Sequence, residues 1–216
     1  MSTRRAASRS ARGGEEMRQR ITREAARIMA EEGVQDFHAA KRKAAARLGH
    51  DEARHLPSNR EIEDALASHL QLFHARDLPN TLRHLLGLAL EAMRLLVRFE
   101  PRLVGPLLSG IATPYSDVQI HAFPENPEQI AVLLQERGIP YEESDRRMRF
   151  GGDRQESIPV FRFLAGDTAV EVNAFPPQAA REAPLSPVDA RPMKRAGLKE
   201  VERLLENNAP QGQAAP

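Results

Sequence analysis

The sequence predicts an α+β protein in which a helical N-terminal half precedes a small domain built on a mixed sheet. Apolar residues recur every three or four positions from residue 15 to about residue 99, which is typical of amphipathic helices. After Pro101 the period changes to two, which is typical of half-buried strands. The chain has 216 residues, of which 41% are hydrophobic and 28% charged, as expected for a soluble globular protein.

The first two helices are expected at residues 15–32 and 37–48. Each carries an apolar stripe, and Gly33 and Gly49 follow as C-terminal stop signals. Residues 1–14 are basic and have too few apolar side chains to order themselves, so we expect a disordered arm there.

The third and fourth helices complete a helical domain over residues 15–100. Ser58 and Glu61 have the spacing of a capping box, which predicts the start of the third helix. Asn80 is the expected cap of the fourth helix, which should end near Phe99 because Pro101 follows.

Residues 102–177 are expected to form the sheet domain. A strand is predicted at 118–122, and Asn126 and Pro127 should begin a helix that ends at Gly138. An extended stretch is expected at 141–150, and two strands at 158–164 and 169–175 should form a hairpin around Gly166-Asp167. Within the irregular region 178–216, a short final helix is expected at 198–205.

Charge and composition exclude several classes of protein. Residues 1–60 hold 14 basic and 8 acidic groups, whereas the rest hold 17 and 22, so only the front of the chain is basic. The absence of cysteine excludes disulfides, thiolate metal sites and cysteine nucleophiles. No apolar run is long enough to span a membrane or to form a secretory signal, so we expect no membrane partner and a cytoplasmic protein.

The stretch from Gly105 to His121 reads G-P-L-L-S-G-I-A-T-P-Y-S-D-V-Q-I-H. It resembles the signature of the polymerase-β-like nucleotidyltransferase superfamily, G-S-x3-G-x5-S-D-x-D, with four residues at matching places: Gly105, Gly110, Ser116 and Asp117. The family has a third carboxylate on a later strand between apolar residues, and Val170-Glu171-Val172 matches that context. The resemblance covers about residues 102–176 and implies a nucleotidyltransferase-like fold.

This resemblance implies a site for a nucleoside triphosphate with Mg²⁺. Two divalent ions about 4 Å apart, held by carboxylates on one face of a sheet, are what in-line nucleotidyl transfer requires. Asp117 and Glu171 would be the catalytic and metal-binding acids. Residues that would contact the substrate are those of the glycine-containing turn, the same face of the strand and a nearby arginine: Gly105, Ser109, Gly110, Ser116, Gln119, His121 and Arg162. His121 would contact phosphate or replace a missing metal ligand. Two roles are open for Arg146, Arg147, Arg149 and Arg162, either holding the triphosphate or pairing on the surface with Glu142, Glu143 or Asp145.

Two positions depart from the family pattern. Gln119 stands where the second aspartate belongs, and a neutral amide is a poor ligand for Mg²⁺. Pro106 stands where a serine belongs and has no N–H to offer a phosphate. The alternative interpretation is that these polar residues form the solvated face of a sheet and that the chain is a noncatalytic scaffold.

The whole chain also resembles bacterial proteins that are labelled UDP-N-acetylmuramate–alanine ligase or left uncharacterised. The similarity lies in the segments L-P-S-N-x-E-I-E, L-V-G-P-L-L-x-G and S-P-x-D-x-R-P, which begin at residues 56, 103 and 186. An ATP-dependent ligase of that kind needs a glycine-rich loop ending in Gly-Lys-Ser or Gly-Lys-Thr, and neither tripeptide occurs in the sequence. The residues therefore disfavour the ligase label.

The basic front half suggests a second class of function, the binding of nucleic acid or of a protein. Residues 24–48 resemble the opening of a helix-turn-helix repressor, but the next helix is acidic at Glu61, Glu63 and Asp64 and would repel a phosphate backbone. Weak contact with nucleic acid through residues 1–47 remains a hypothesis, and steep salt dependence would be its signature.

Overall fold

The computed structural model of the protein describes residues 2–49 and 56–208. Over these residues the chain forms six α-helices and one five-stranded mixed sheet, which confirms the predicted α+β class. Two compact units are present, Met1–Ala75 with Pro187–Asp189, and Arg76–Ser186 with Ala190–Pro216. Within the described ranges, we find no helix with the length and apolarity needed to cross a bilayer.

The helical unit consists of α1 (Ser2–Glu32), α2 (Phe37–Arg47) and α3 (Asn59–Phe73). Helix α1 packs against both of the others, and its buried face includes Ile21 and Ile28. This face is the predicted stripe, because residues three or four apart share one side of a helix.

Side-chain caps fix where α2 and α3 begin. The Asp36 carboxylate accepts a hydrogen bond from the Ala39 N–H at 2.6 Å. Ser58 and Glu61 form the predicted capping box, in which each side chain bonds the backbone N–H of the other residue. The Glu61 carboxylate also accepts two hydrogen bonds from Arg18, at 2.6 and 2.8 Å, and this ion pair ties the start of α3 to α1.

Two helix boundaries differ from the sequence-based expectation. Helix α1 begins at Ser2 and runs continuously through the stretch expected to be a disordered arm, which is rich in the helix formers alanine and arginine. Helix α4 begins at Leu78 and ends at Leu95, so Asn80 is not its cap. Proline fits the first turn of a helix, so Pro79 is compatible with this earlier start, and a short 3-10 turn, Val97–Phe99, follows the helix.

Helix α4 belongs to the sheet unit rather than to the helical unit. Its residues Leu86, Ala89 and Met93 are buried in one core with apolar residues of the sheet. Helices α5 (Glu128–Glu136) and α6 (Leu198–Asn207) contribute to the same core.

The sheet contains β1 (Arg102–Val104), β2 (Val118–Ala122), β3 (Tyr141–Arg149), β4 (Gln155–Ala165) and β5 (Thr168–Ala174). Its strand order is β1-β2-β5-β4-β3, with β2 and β5 parallel and the other neighbouring pairs antiparallel. The predicted hairpin is therefore present as β4 and β5. The parallel pairing of β2 with β5 brings together two segments that lie far apart in the sequence.

The two faces of the sheet have different chemistry. One face packs on the helices through residues such as Val118, Ile120 and Val172. Alternation puts the intervening residues of β2 and β5 on the other face, which we call the polar face. Its members on these strands are Gln119, His121, Glu171 and Asn173.

We predict that Glu61 makes the helical unit sensitive to acid. Arg18 holds the pKa of Glu61 at about 2, below the ordinary value of 4.5, by hydrogen bonding to its charged form. A depressed folded-state pKa contributes stability that is complete above the unfolded-state value and is lost as the pH falls towards 2. Glu61→Gln should therefore reduce the loss of stability between pH 4.5 and pH 2, as measured by urea denaturation.

Glu63→Gln on the same helix is the matched control. Burial, together with the charges of Asp64 and Asp189, raises the pKa of Glu63, so this carboxylate contributes no stability that acid removes in that range. An equal effect of the two substitutions would contradict the assignment to the Arg18–Glu61 pair.

Candidate functional site

The predicted phosphate-holding turn connects β1 to β2. It contains a 3-10 turn, Pro106–Ser109, which is bounded by Gly105 with φ of 86° and Gly110 with φ of 72°. Ser109 is exposed at the end of this turn. Ser116 lies in a second turn, where its hydroxyl accepts a hydrogen bond from the Thr113 N–H at 2.9 Å. This bond stabilises the chain just before Asp117.

Gly105 has a second structural role besides its positive φ. A Cβ atom at this position would lie 3.0 Å from Oε1 of Gln119. The glycine therefore lets the Gln119 side chain lie directly against the backbone of the turn. In this structure Gly105 makes room for a neighbouring side chain on the polar face.

Strand register places the two predicted acids near each other. Gln119 on β2 is the partner of Glu171 on β5, and Arg162 on β4 is the partner of Glu171 on the opposite side. Asp117 immediately precedes β2, two residues before Gln119 and on the same face. Asp117, Glu171 and Arg162 consequently meet on the polar face.

A single guanidinium nitrogen joins the two carboxylates. Nη1 of Arg162 lies 2.9 Å from Oδ2 of Asp117 and 2.9 Å from Oε1 of Glu171. Because one nitrogen lies 2.9 Å from each of the two carboxylate oxygens, these oxygens are separated by at most twice 2.9 Å. Arg146 binds Glu171 from β3, with Nη1 2.9 Å from Oε2 and Nη2 3.1 Å from Oε1. We call these four side chains the arginine–carboxylate cluster.

The acids of this cluster are much less exposed than its bases. The side chains of Asp117 and Glu171 are 12% and 10% exposed, whereas that of Arg162 is 40% exposed. Burial lowers the pKa of Arg162, but the charges and hydrogen bonds of the two carboxylates outweigh burial and raise it overall. The cluster therefore consists of two positive and two negative charges, with the acids covered by the arginines.

His121 is the predicted site residue whose surroundings differ most from the expectation. It was expected to contact phosphate or to replace the missing metal ligand, but the side chain is fully buried. Its Nδ1 accepts a hydrogen bond from Nε of Arg195 at 3.1 Å, and its ring lies against Phe175. Burial, reinforced by the charges of Arg195 and Arg146, lowers the pKa of His121 to about 3, so the ring is neutral.

Arg195 is a site residue that the sequence argument did not assign. Arg195 lies in an irregular proline-rich stretch with no periodicity, so no pattern pointed to it. Arg146, Arg147, Arg149 and Arg162 were expected either to hold a triphosphate or to pair with the acids of β3. Arg146 and Arg162 pair instead with acids of other segments, because strand register decides which acid each arginine meets.

The described part of the chain shows no group of three or more His, Asp or Glu side chains arranged to hold a metal ion. Two surface cavities, of about 590 and 490 Å³, lie away from the arginine–carboxylate cluster. The larger is lined by residues such as Phe99, Phe123 and Val132, and the smaller by residues such as Arg102 and Lys199.

Comparisons with models of protein families, with curated proteins and with solved structures found no significant match.

We predict that Arg162→Met destabilises the protein. The substitution leaves the Asp117 carboxylate without its guanidinium and removes one of two arginines from Glu171, while the apolar stem keeps its volume. An uncompensated, mostly buried charge should lower the free energy of unfolding by roughly 2 kcal/mol. Urea denaturation would measure this loss.

Arg147→Met on β3 provides the matched control, because Arg147 is exposed on the neighbouring strand. It should change the stability little. If both variants lost the same stability, the cluster would contribute nothing beyond an ordinary surface arginine.

Proposed function

We propose that the sheet unit is a nucleotidyltransferase-like scaffold in which arginine has replaced the divalent cations, and that the chain works as a noncatalytic interaction protein. The observation that carries the proposal is the position of Arg162, whose Nη1 lies 2.9 Å from both candidate metal-binding acids. Gln119 and Pro106, which depart from the family pattern, point in the same direction.

The physical reason is competition between two cations for the same oxygens. The Arg162 guanidinium is attached to the fold, so it reaches the acids at a high effective concentration. Mg²⁺ would have to displace it, lose part of its hydration shell and accept the neutral amide of Gln119 in place of the second aspartate. Arg146 adds a second barrier, because it makes two contacts with Glu171.

The basic residues at the front of the chain are the other part of this proposal. Lys43 and Arg47 form ion pairs with Glu32, and Arg27 pairs with Glu24 and Glu31. The pairs of Lys43 and Arg47 join α2 to α1, whereas those of Arg27 lie within α1, so each of these three cations already has a carboxylate partner. This arrangement favours a protein partner over a nucleic-acid backbone. The side chains of the predicted basic arm up to residue 12 lie outside those that the structure describes.

We predict that ATP, GTP, CTP and UTP give no heat of binding in titration calorimetry, with or without Mg²⁺. The arginine–carboxylate cluster should keep its internal pairs in preference to a metal–nucleotide complex. Mg²⁺-dependent heat that disappears in Asp117→Ala would contradict the proposal and establish nucleotide binding at this site.

One observation favours a second candidate function, the binding of a nucleoside triphosphate with Mg²⁺. Asp117 and Glu171 already converge closely enough to share one cation, as a metal site requires. Their carboxylates would become available if the two arginines turned towards the triphosphate. Gln119 would then lie beside Glu171, at the position where the second metal-binding carboxylate is missing.

We predict that Arg162→Ala with Gln119→Asp binds Mg²⁺ several-fold more tightly than Arg162→Ala with Gln119→Asn. The aspartate supplies a charged oxygen ligand, whereas asparagine keeps the same length without the charge. Titration calorimetry with MgCl₂ on both double variants measures the difference. Equal affinities would show that residue 119 is not directed at the cation, and the second candidate would be wrong.

A further inference from the structure

The sheet has one long open edge, which is strand β3. In the strand order β1-β2-β5-β4-β3, this strand is the last and lies beside β4. The opposite edge, β1, has only three residues, and there the backbone of Leu103 exchanges hydrogen bonds of 2.8 and 2.9 Å with that of Ala196. Strand β3 has nine residues, and all six from Glu142 to Arg147 are exposed. It is therefore the edge that another strand could join.

The backbone groups of β3 that point away from β4 belong to its odd-numbered residues. The Arg149 carbonyl accepts a hydrogen bond at 2.6 Å from the N–H of Leu185, which lies in none of the strands, whereas the next N–H, that of Phe150, bonds the Arg154 carbonyl across the hairpin. In an antiparallel pair, the N–H and C=O groups of one residue point to the same side, and the side alternates along the strand. Residues 141, 143, 145 and 147 therefore direct both groups outwards.

The structure already shows this edge binding a main-chain donor. The bond between Leu185 and Arg149 joins a segment outside the sheet to the last residue of β3. Elsewhere along the outer side of β3, the described residues make no further backbone hydrogen bond. The chain thus covers the end of the edge and leaves residues 141–147 open.

The protection of this edge consists of charge. Proteins usually protect an open edge with a proline, a bulge, a short strand or charged side chains. Strand β3 contains no proline, and its pairing with β4 is uninterrupted from Tyr141 to Arg149. However, six of its nine residues are acidic or basic. Such side chains reject a strand that does not match them, but they favour a strand of opposite charge.

The acids and bases of β3 are separated along the strand. The acids precede the bases, and the charged residues in order are Glu142, Glu143, Asp145, Arg146, Arg147 and Arg149. At the open, outward-facing positions the order is Glu143, Asp145 and Arg147. An antiparallel partner begins opposite Arg147 and ends opposite Glu143, and opposite charges directly across a strand pair stabilise it. The matching strand therefore has an acidic residue followed by two basic residues at alternate positions.

We infer that the outer edge of β3, from residue 141 to residue 147, is a docking site for an extended peptide segment of a partner protein with this order of charges. The segment adds to the sheet as an antiparallel strand, since antiparallel pairs are slightly more stable per residue than parallel pairs. In this mode of recognition, main-chain hydrogen bonds provide the affinity and side chains provide the selectivity. The inference rests on the proposed function as an interaction protein and identifies the surface that serves it.

The experiment titrates two peptides of identical composition into the full-length, isotope-labelled protein. The first, acetyl-Thr-Glu-Thr-Lys-Thr-Lys-Thr-amide, has the matching order of charges, and the second, acetyl-Thr-Lys-Thr-Lys-Thr-Glu-Thr-amide, has the reverse order. NMR chemical shifts give both dissociation constants. The first peptide should bind several-fold more tightly. Methylation of the backbone nitrogens of its two lysines should abolish binding, because these N–H groups donate to β3.

The double variant Glu143→Arg with Arg147→Glu is the matched control. It keeps the composition of β3 and reverses the order of charge at the open positions, and both side chains are exposed, so the fold should be retained. The preference between the two peptides should reverse.

Hydrogen exchange locates the added strand. In the free protein, the amides of Ser144 and Arg146 point to β4 and should be protected, whereas those of Glu143, Asp145 and Arg147 should exchange fast. The first peptide should slow exchange at the second set and leave the first set unchanged.

Three results would overturn the inference. Equal binding or no binding of the two peptides would show that this edge is not a charge-selective docking site. Tighter binding of the second peptide to the wild-type protein would indicate a parallel strand. Protection of the same three amides that rises with protein concentration, without peptide, would show that a second copy of the chain occupies the edge. None of these results bears on the noncatalytic proposal, which the nucleotide titrations test separately.

Discussion

The interaction on which the polar face depends is the bridge that Arg162 makes between Asp117 and Glu171. Glu171 lies on β5 and Asp117 immediately precedes the parallel strand β2, so their charges would repel each other at close range without a cation between them. A guanidinium supplies that cation and, unlike a metal ion, cannot leave. The parallel contact of β2 with β5 thus brings the acids together, and the antiparallel contact of β5 with β4 supplies the arginine that neutralises them.

The polar face also contains buried polar side chains near the other end of these strands. His121 and Asn173 lie on the same face as Asp117 and Glu171 but are almost completely buried, and Phe175 and Arg195 lie against the His121 ring. Here the arginine bonds neutral acceptors and aromatic rings instead of carboxylates. One half of the face is therefore an ion-pair cluster, and in the other half Arg195 binds the neutral ring of His121. The first half is the one in which two carboxylates meet.

Local patterns predicted the elements of this fold well, because caps and apolar periods depend on neighbouring residues. The Ser58–Glu61 capping box and the strand around Ile120 are present as predicted. The start of α4 was misplaced because Asn80 resembles a cap, while the helix already begins at Leu78. The grouping of α4 with the sheet depends on packing between distant segments, and no local pattern contains that information.

At the candidate site, too, local sequence patterns could not predict contacts between distant segments. Sequence reasoning selected Asp117 and Glu171 from the motif and its apolar-acid-apolar context, and the structure places them beside each other. It could not decide what lies between them, because the same two acids can bind Mg²⁺ or arginine and the choice depends on strand register. Arg162 is the partner of Glu171 across β4 and β5, so the guanidinium reaches both acids without any rearrangement. The difference between a metal site and an ion-pair cluster thus depends on which side chain stands opposite Glu171 on the neighbouring strand β4.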